Sequence, residues 1–311
     1  MMTRDALWNK SKLFVDKALR ARDINDDQEY YVWASIAMEL LGKAALAHIH
    51  PVLVADPTHF QSLLAACGRS TTVDTKSITA RTVYERVKAI TPEFDERMSR
   101  ECMNLASRRN AELHSGDAPT VGLDVRAWVP AFWRAADVLC RCQQSDLEAW
   151  LGPDEAGRVR AILADAAELA RQTVLARIDR RRREFDSRFP RKSRERHDLE
   201  IQNASRSLPA RYLSLADAFD DVECPACSLK AWSFGYEQEE EILEEPEPGY
   251  YDEDYPPEEL VRTTYGVDSF RCIECNLVLD GRDEIEIAGL PDEFAREEFR
   301  VPAYEDDYGN E

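Results

Sequence analysis

The 311-residue chain lacks an uninterrupted apolar run of the roughly 18 residues that a membrane-spanning helix needs. Its first stretch, MMTRDALWNKSK, also lacks the apolar core of a secretory signal. We therefore expect a soluble protein that resides in the cytoplasm and has no membrane partner. The hydrophobic content of 44% is enough for a sizeable core, and the length predicts about two domains.

Basic residues are scarce in the last third of the chain. Residues 221–311 hold 6 Lys and Arg against 28 Asp and Glu, a balance of −22, whereas the whole chain has a net charge of −20. Residues 1–150 carry a balance of −1 and residues 151–220 a balance of +3. The scarcity disfavours nucleic-acid binding led by the C-terminal region, but it does not exclude an RNA substrate for the N-terminal region.

Residues 1–151 lack the alternating apolar pattern of strands. Their apolar residues recur at helical steps instead, so we predict a mainly α protein that begins with a helical bundle. The predicted helices cover the following ranges: 6–18, 31–50, 60–66, 83–90, 94–114 and 125–151. Because Pro130 falls inside the last range, we expect either a kink or a helix that starts there.

The stretch RNAELH, from Arg109 to His114, ends one of these helices. Asn110 and His114 are four residues apart and therefore share a helix face, and Arg109 lies at the edge of that face. An imidazole can transfer a proton at neutral pH, and a guanidinium can hold two oxygens of a phosphoryl group. These residues predict metal-free cleavage of RNA; the alternative is a capping His and a solvated Arg.

The helix order and the R-x-x-x-x-H motif resemble those of the HEPN superfamily of small helical-bundle proteins. The resemblance covers roughly residues 3 to 151 and includes the Asn that follows the Arg. It implies a metal-independent endoribonuclease in which two copies of the motif helix face each other in a homodimer. Arg109 and His114 match the invariant pair of the motif, and Asn110 matches its frequent polar residue. A role in stress or phage defence is common among such nucleases, and inactive adaptors also occur in the superfamily.

Glu39, on the second predicted helix, is similar to an acidic residue that some members retain near the site. This match is looser than the match of the motif itself. The alternative is a helix ion pair between Glu39 and Lys43, which are four residues apart and share a face.

Residues 152–212 are predicted to form a long helix and a basic connector. From Val159 to Ile178 apolar residues step by three or four, which describes a helix over 153–189 with a continuous apolar stripe. The stripe could pair with a second copy or pack against the bundle. The run Arg180 to Arg183 near the end of this helix either complements the helix dipole or contacts nucleic acid.

Two C-x-x-C pairs provide the firmest chemistry in the chain. Cys224, Cys227, Cys272 and Cys275 have the spacing of two zinc knuckles, and four thiolates complete a tetrahedral shell for a structural Zn²⁺ with no open position for substrate. We predict a small β zinc ribbon over residues 213–290. Short strands are expected in the ranges that flank the knuckles: 231–234, 261–265, 268–271 and 277–279.

An acidic insertion separates the two knuckles. Residues 237–260 are rich in Glu, Asp and Pro and are predicted to form an extended loop, and residues 291–311 are predicted to form an acidic tail. These two segments keep the protein soluble, or mimic nucleic acid and so shield the basic residues of the helical part that carries His114, or bind a basic protein partner. The remaining cysteines, Cys67, Cys102, Cys140 and Cys142, are expected to be buried small hydrophobes.

Two functional hypotheses follow from the sequence. The first is a dimeric endoribonuclease with His114 as acid or base, Arg109 stabilising the transition state and Asn110 orienting the phosphate or ribose. The second is a non-catalytic adaptor, in which a helical dimer presents the acidic zinc ribbon to a protein partner.

Overall fold

The computed structural model describes residues 2–69, 75–189, 212, 214, 216–244 and 258–301. In this part of the chain helices dominate, and an antiparallel sheet lies near the C-terminus. The chain divides into two compact units, Met1–Ala167 and Glu168–Glu311.

The first unit is helical, as predicted. The helices are α1 (Arg4–Asp23), α2 (Asp27–Ile49), α3 (Phe60–Ala66), α4 (Ala80–Ile90), α5 (Glu96–His114), α6 (Val129–Arg141), α7 (Leu147–Leu151) and the first part of α8 (Pro153–Arg188). The side chains of Thr3, Asp26, Thr79 and Asp95 accept hydrogen bonds from backbone N–H groups at the starts of α1, α2, α4 and α5. These caps satisfy donors that a helix start leaves without intrahelical partners. Pro130 lies in the first turn of α6, which begins at Val129, so the proline falls at a helix start and does not kink the helix.

Helix α2 forms the centre of this unit. By length and composition alone it could cross a membrane, but most of its apolar stretch is buried inside the structure, as expected of the core helix of a bundle. An aromatic cluster continues the core, with Tyr30 and Tyr31 of α2 against Trp128 at ring-centroid distances of 4.9 and 5.0 Å. The indole N–H of buried Trp150 donates to the Ser11 hydroxyl over 2.9 Å, which ties α7 to α1.

A glycine allows α2 to approach α4 closely. A Cβ atom on Gly42 would lie 2.7 Å from Cγ1 of Val83, closer than real Cβ contacts come. The missing side chain therefore lets the two helices pack at a distance that a larger residue would prevent. Glu39 and Lys43 lie on α2 on either side of this contact, so the glycine also helps to place them near α4.

The second unit contains a five-stranded antiparallel sheet. The strands are β1 (Ala218–Glu223), β2 (Lys230–Glu244), β3 (Glu259–Arg271), β4 (Val278–Asp280) and β5 (Glu293–Arg300), with a short helix α9 (Arg282–Ile287) before β5. The order is β1-β2-β3-β4, and β5 pairs with the N-terminal part of β3. The strands expected around the knuckles are present, but those predicted over 261–265 and 268–271 are a single strand.

The acidic segments differ from their prediction as loop and tail. Residues 237–244 continue β2, residues 259–260 begin β3, and Glu293–Arg300 form β5; residues 245–257 and 302–311 lie outside the described part. Cross-strand ion pairs offset the charge: Arg262 binds Glu297 at 2.6 Å, and Arg300 binds Glu240 at 2.5 Å and Glu259 at 2.9 Å. Glu-rich sequence can therefore be strand here, because each arginine meets a carboxylate on the neighbouring strand.

The apolar stripe of α8 belongs to two different cores. Ala156 and Val159 are buried in the core of the first unit, whereas Val174, Ile178 and Phe185 are buried with the four knuckle cysteines in the core of the second. Leu169, close to the division between the units, is 66% exposed.

Candidate functional site

Helix α5 positions the motif residues. Its buried residues Cys102, Leu105 and Ala106 fix one face against the bundle, and Arg109 follows at the edge of that face. In the last turn of the helix, Glu112 accepts hydrogen bonds from the hydroxyl and the backbone N–H of Thr120, over 2.7 and 3.2 Å. The end of α5 is thus tied to the loop that follows it.

Glu39 joins two cations at the site. Its Oε2 accepts from Nη1 of Arg109 over 2.7 Å, and its Oε1 accepts from Nζ of Lys43 over 2.7 Å. Lys43 also donates to the Ser77 hydroxyl over 3.0 Å. The side chains of Glu39, Lys43 and Arg109 are only 17%, 9% and 11% exposed. This arrangement is more than the isolated helix pair that the spacing of Glu39 and Lys43 suggested, since a second cation shares the carboxylate.

Asn110 completes the support of the guanidinium. Its Oδ1 accepts from Nη2 of Arg109 over 2.8 Å and from Nε over 3.2 Å. An arginine side chain carries five N–H donors. Among the described residues, Glu39 and Asn110 accept hydrogen bonds from three of these donors. The other two remain available to a ligand. The guanidinium is therefore held in a defined orientation before any substrate arrives.

The charge of the site follows from these contacts. Burial raises the pKa of Glu39, but the nearby charges and hydrogen bonds of Lys43 and Arg109 outweigh it and bring the pKa below its ordinary value. Glu39 is therefore ionised at neutral pH. One carboxylate between two cations leaves one net positive charge in a mostly buried cluster.

A cavity of about 330 Å³ opens beside this cluster. Polar side chains that line it include those of Glu39, Arg81, Ser107, Arg109 and Asn110. The volume lies at the lower end of the range for ligand pockets, about 300 to 1,000 Å³. The cavity adds the exposed Arg81 to the net positive cluster, so its chemistry favours a small anion such as a phosphate group.

His114 is not part of this cavity. The ring lies on the last residue of α5 and is exposed to solvent. In the described residues no hydrogen bond joins it to Arg109, Asn110 or Glu39. Within one chain the structure thus brings together three of the four predicted site residues, and the imidazole remains apart from them.

Two residues near the cluster were not singled out in the sequence. Ser77 precedes α4 and holds Lys43, and Arg81 lies in the first turn of α4 and lines the cavity. No local pattern relates α4 to α5, because their proximity arises from packing on α2. The single hint was Gly42, whose place inside a long apolar helix signals a close contact with another element.

The four predicted metal ligands also come together. The Sγ atoms of Cys224, Cys227, Cys272 and Cys275 all lie within 4.8 Å of one another, and all four side chains are buried. Cys224 and Cys275 are 3.6 Å apart, as are Cys227 and Cys272. A disulfide bond would require about 2.0 Å. Four thiolates around one zinc ion at about 2.3 Å would be about 3.8 Å apart, so the cluster fits such an ion.

The two knuckles have the same local structure. The N–H of Cys224 donates to the carbonyl of Leu229, and the N–H of Cys272 donates to the carbonyl of Leu277, both over 2.9 Å. The residue after the second cysteine of each knuckle is left-handed, with φ of 61° at Ser228 and 55° at Asn276. Each turn therefore aims its two sulfurs to one side, and the two turns face one another across the same point.

The thiols divide into two chemical groups. Hydrogen bonds among the four knuckle sulfurs lower the pKa of Cys272 and Cys275 and raise the pKa of Cys224 and Cys227, so these sulfurs do not ionise independently. Burial instead raises the pKa of Cys102 and Cys140, which agrees with their prediction as inert core residues. The prediction was wrong for Cys67, which is exposed because it follows the short surface helix α3.

Together these features define a helical-bundle protein with a charged cavity and a four-cysteine cluster that could hold a metal ion. Compared with known proteins, the chain matches no family model, and it matches neither a curated protein nor a solved structure.

Proposed function

We propose that the protein is a metal-independent endoribonuclease of the HEPN type that acts as a homodimer. The observation that carries the proposal is the Arg109 guanidinium, which Glu39 and Asn110 hold at a cavity on the same helix that ends in an exposed imidazole. A preorganised guanidinium stabilises negative charge that develops on a phosphoryl group.

In this mechanism the 2′-oxygen of a ribose attacks the adjacent phosphorus and the bond from phosphorus to the 5′-oxygen breaks. A base accepts the proton of the 2′-hydroxyl, and an acid gives a proton to the departing 5′-oxygen. His114 acts as one of these groups, since an imidazole is suited to either role near neutral pH. Arg109 binds the phosphate oxygens, and Asn110 orients the phosphate or the ribose.

A second copy of the chain completes the proposed site, because His114 and Arg109 do not converge within one chain. His114 and the neighbouring Leu113 are both exposed at the end of α5. Leu113, at 53% exposure, offers apolar surface for a contact between two such helix ends. In the dimer, His114 of one chain would act on a phosphate that Arg109 of the other chain holds.

RNA cleavage tests this proposal. Wild-type protein in magnesium-free buffer with EDTA is expected to cut RNA, and His114→Ala and Arg109→Ala are expected to lose the activity. His48→Ala, which changes another exposed histidine near a helix end, is the matched control and should remain active. Equal cleavage by wild type and His114→Ala would contradict the assigned roles.

Subunit mixing tests the dimer. If the acid or base of one chain acts on a phosphate held by the other, mixed dimers of His114→Ala and Arg109→Ala should recover part of the activity that each variant lacks. A monomeric wild-type protein that still cleaves RNA would refute the composite site.

We also propose that the four-cysteine cluster holds a structural Zn²⁺. The support is the sulfur geometry and the burial of all four ligands. A centre of four thiolates is typical of proteins in a reducing compartment, so we also propose a cytoplasmic location. Metal analysis should find one zinc per chain.

The adaptor remains the second candidate. It is favoured by the outer part of β2, where exposed Glu237, Glu239, Glu240 and Glu241 follow one another along the strand. This surface would bind a basic protein partner. Under this hypothesis a double variant at Arg109 and His114 would lose thermal stability and retain partner binding, whereas the nuclease hypothesis requires that it lose RNA cleavage.

A further inference from the structure

The C-terminal half of α8 is part of the knuckle core. Val174, Ile178 and Phe185 are buried in the same apolar cluster as the four cysteines. These positions recur along one face of the helix at steps of four and seven residues. The turn around Leu169, in contrast, is largely exposed. The helix from Glu168 to Arg188 therefore depends on the sheet and the knuckles for most of its tertiary packing.

Arg182 connects this helix to the first knuckle. Its Nη2 donates to the carbonyl of Pro225 over 2.8 Å, and its Nε donates to the carbonyl of Ala226 over 3.4 Å. Pro225 and Ala226 are the two residues between Cys224 and Cys227. The guanidinium thus holds both carbonyls of the turn that sets the direction of the two sulfurs.

Arg177 makes the corresponding contact near the second knuckle. Its Nη1 donates to the carbonyl of Val278 over 2.9 Å, and its Nη2 binds Glu284 of α9 at 2.5 Å. Val278 begins the strand that follows the second cysteine pair. Two arginines on successive turns of α8 therefore hold the turn of the first knuckle and the strand that follows the second. A zinc ion with four thiolates carries a net negative charge, which nearby guanidinium groups stabilise.

We infer that Arg182 is a positioning residue of the metal centre and that metal binding determines whether the C-terminal half of α8 is folded. The inference rests on the proposed zinc site. Structural zinc centres supply folding free energy, and small knuckle folds lose their structure without the ion. Because most helical stability in proteins comes from tertiary packing, this segment loses its main source of stability without its partner surface. Loss of the metal would then uncover the apolar face of an arginine-rich segment.

The first test measures zinc affinity in the full chain by competition with a chromogenic chelator. Arg182→Gln is expected to bind zinc about 10-fold more weakly or worse, because outer-shell partners typically contribute about 10- to 100-fold. Arg182→Lys, which retains the charge without the two-pronged donor geometry, should lie between Arg182→Gln and wild type. The matched control is Arg180→Gln on the same helix, since Arg180 is exposed and its pair with Glu184 is long at 4.0 Å.

The second test measures amide hydrogen exchange with and without zinc. Peptides from residues 174–188 are expected to lose protection when the metal is removed, and peptides from α2 should not change. Retained protection in 174–188 would overturn the folding part of the inference, and an Arg182→Gln affinity within twofold of wild type would overturn the positioning part. If the wild-type chain binds no zinc, the proposed metal site itself is wrong. Failure of the metal site is therefore distinguishable from failure of the inference, which would leave zinc binding intact.

Discussion

Replacement of Glu39 by Gln gives a sharp test of the buried charge cluster. The substitution preserves the size of the side chain but leaves Lys43 and Arg109 without their shared carboxylate at 9% and 11% exposure. Removal of one partner from a buried ion pair typically costs about 3 to 5 kcal/mol. We expect a loss of about 3 kcal/mol, at the lower end, because Ser77 and Asn110 still accept hydrogen bonds from the two cations.

Thermal unfolding followed by tryptophan fluorescence measures this loss. Five of the six tryptophans lie before residue 168, so the signal reports mainly on the first unit. A unit of this size shifts its midpoint by about 2 to 4 °C per kcal/mol, which predicts a decrease of about 6 to 12 °C. The control is Asp137→Asn, which removes an exposed pair with Arg141 on α6 and should cost less than about 0.5 kcal/mol.

The pH dependence checks the cause of the loss. The pKa of Glu39 is lower in the folded protein than in the unfolded chain, so its contribution is present above the unfolded value of about 4.3 and disappears as the pH falls through the folded value. The difference between wild type and Glu39→Gln should therefore narrow below about pH 4. A midpoint shift no larger than that of Asp137→Asn, or a difference that does not change in acid, would refute the reasoning.

Three further outcomes are expected. Gly42→Ala should destabilise the first unit by about 1 to 3 kcal/mol in chemical denaturation, because the new Cβ would lie 2.7 Å from Val83. The control is Gly157→Ala on α8, where the new Cβ would lie in open space and should stabilise the unit by about 0.5 to 1 kcal/mol. In the zinc-loaded protein Cys67 should be the one thiol that reacts rapidly with a disulfide reagent, and Cys67→Ser should abolish that phase. Cys272→Ser should abolish zinc binding, as measured by metal analysis. The free energy of unfolding of the first unit, followed by fluorescence, should stay within about 0.5 kcal/mol of wild type.

The helices and the knuckles could be predicted because their signals are local. Apolar periodicity located α2 and α5 to within a few residues, although the predicted starts at 31 and 94 differ from the observed starts at Asp27 and Glu96. The two-residue gap of each C-x-x-C pair specifies the turn that aims its sulfurs. These features depend on residues within a few positions of each other, which a single sequence displays directly.

The charged strands and the helix contacts could not be predicted in this way. Glu293–Arg300 lacks the alternation of a half-buried strand, and its pairing is fixed by β3, which precedes it by some twenty residues. Arg182 meets Pro225 across 43 residues of sequence. The stripe of α8 resembles a single apolar face in the sequence, although its two halves are buried in different cores.

The shared carboxylate of Glu39 has a consequence for affinity. An anion that enters the cavity meets a guanidinium that is already oriented and whose charge Glu39 offsets in part, so the donor is rigid but attracts anions less strongly than an unpaired arginine would. In the proposed nuclease, such a centre would bind a phosphodiester weakly in the ground state and bind it most strongly when extra charge accumulates on the phosphate oxygens in the transition state. Weak ground-state attraction would also spare the many polyanions of a cell from prolonged capture.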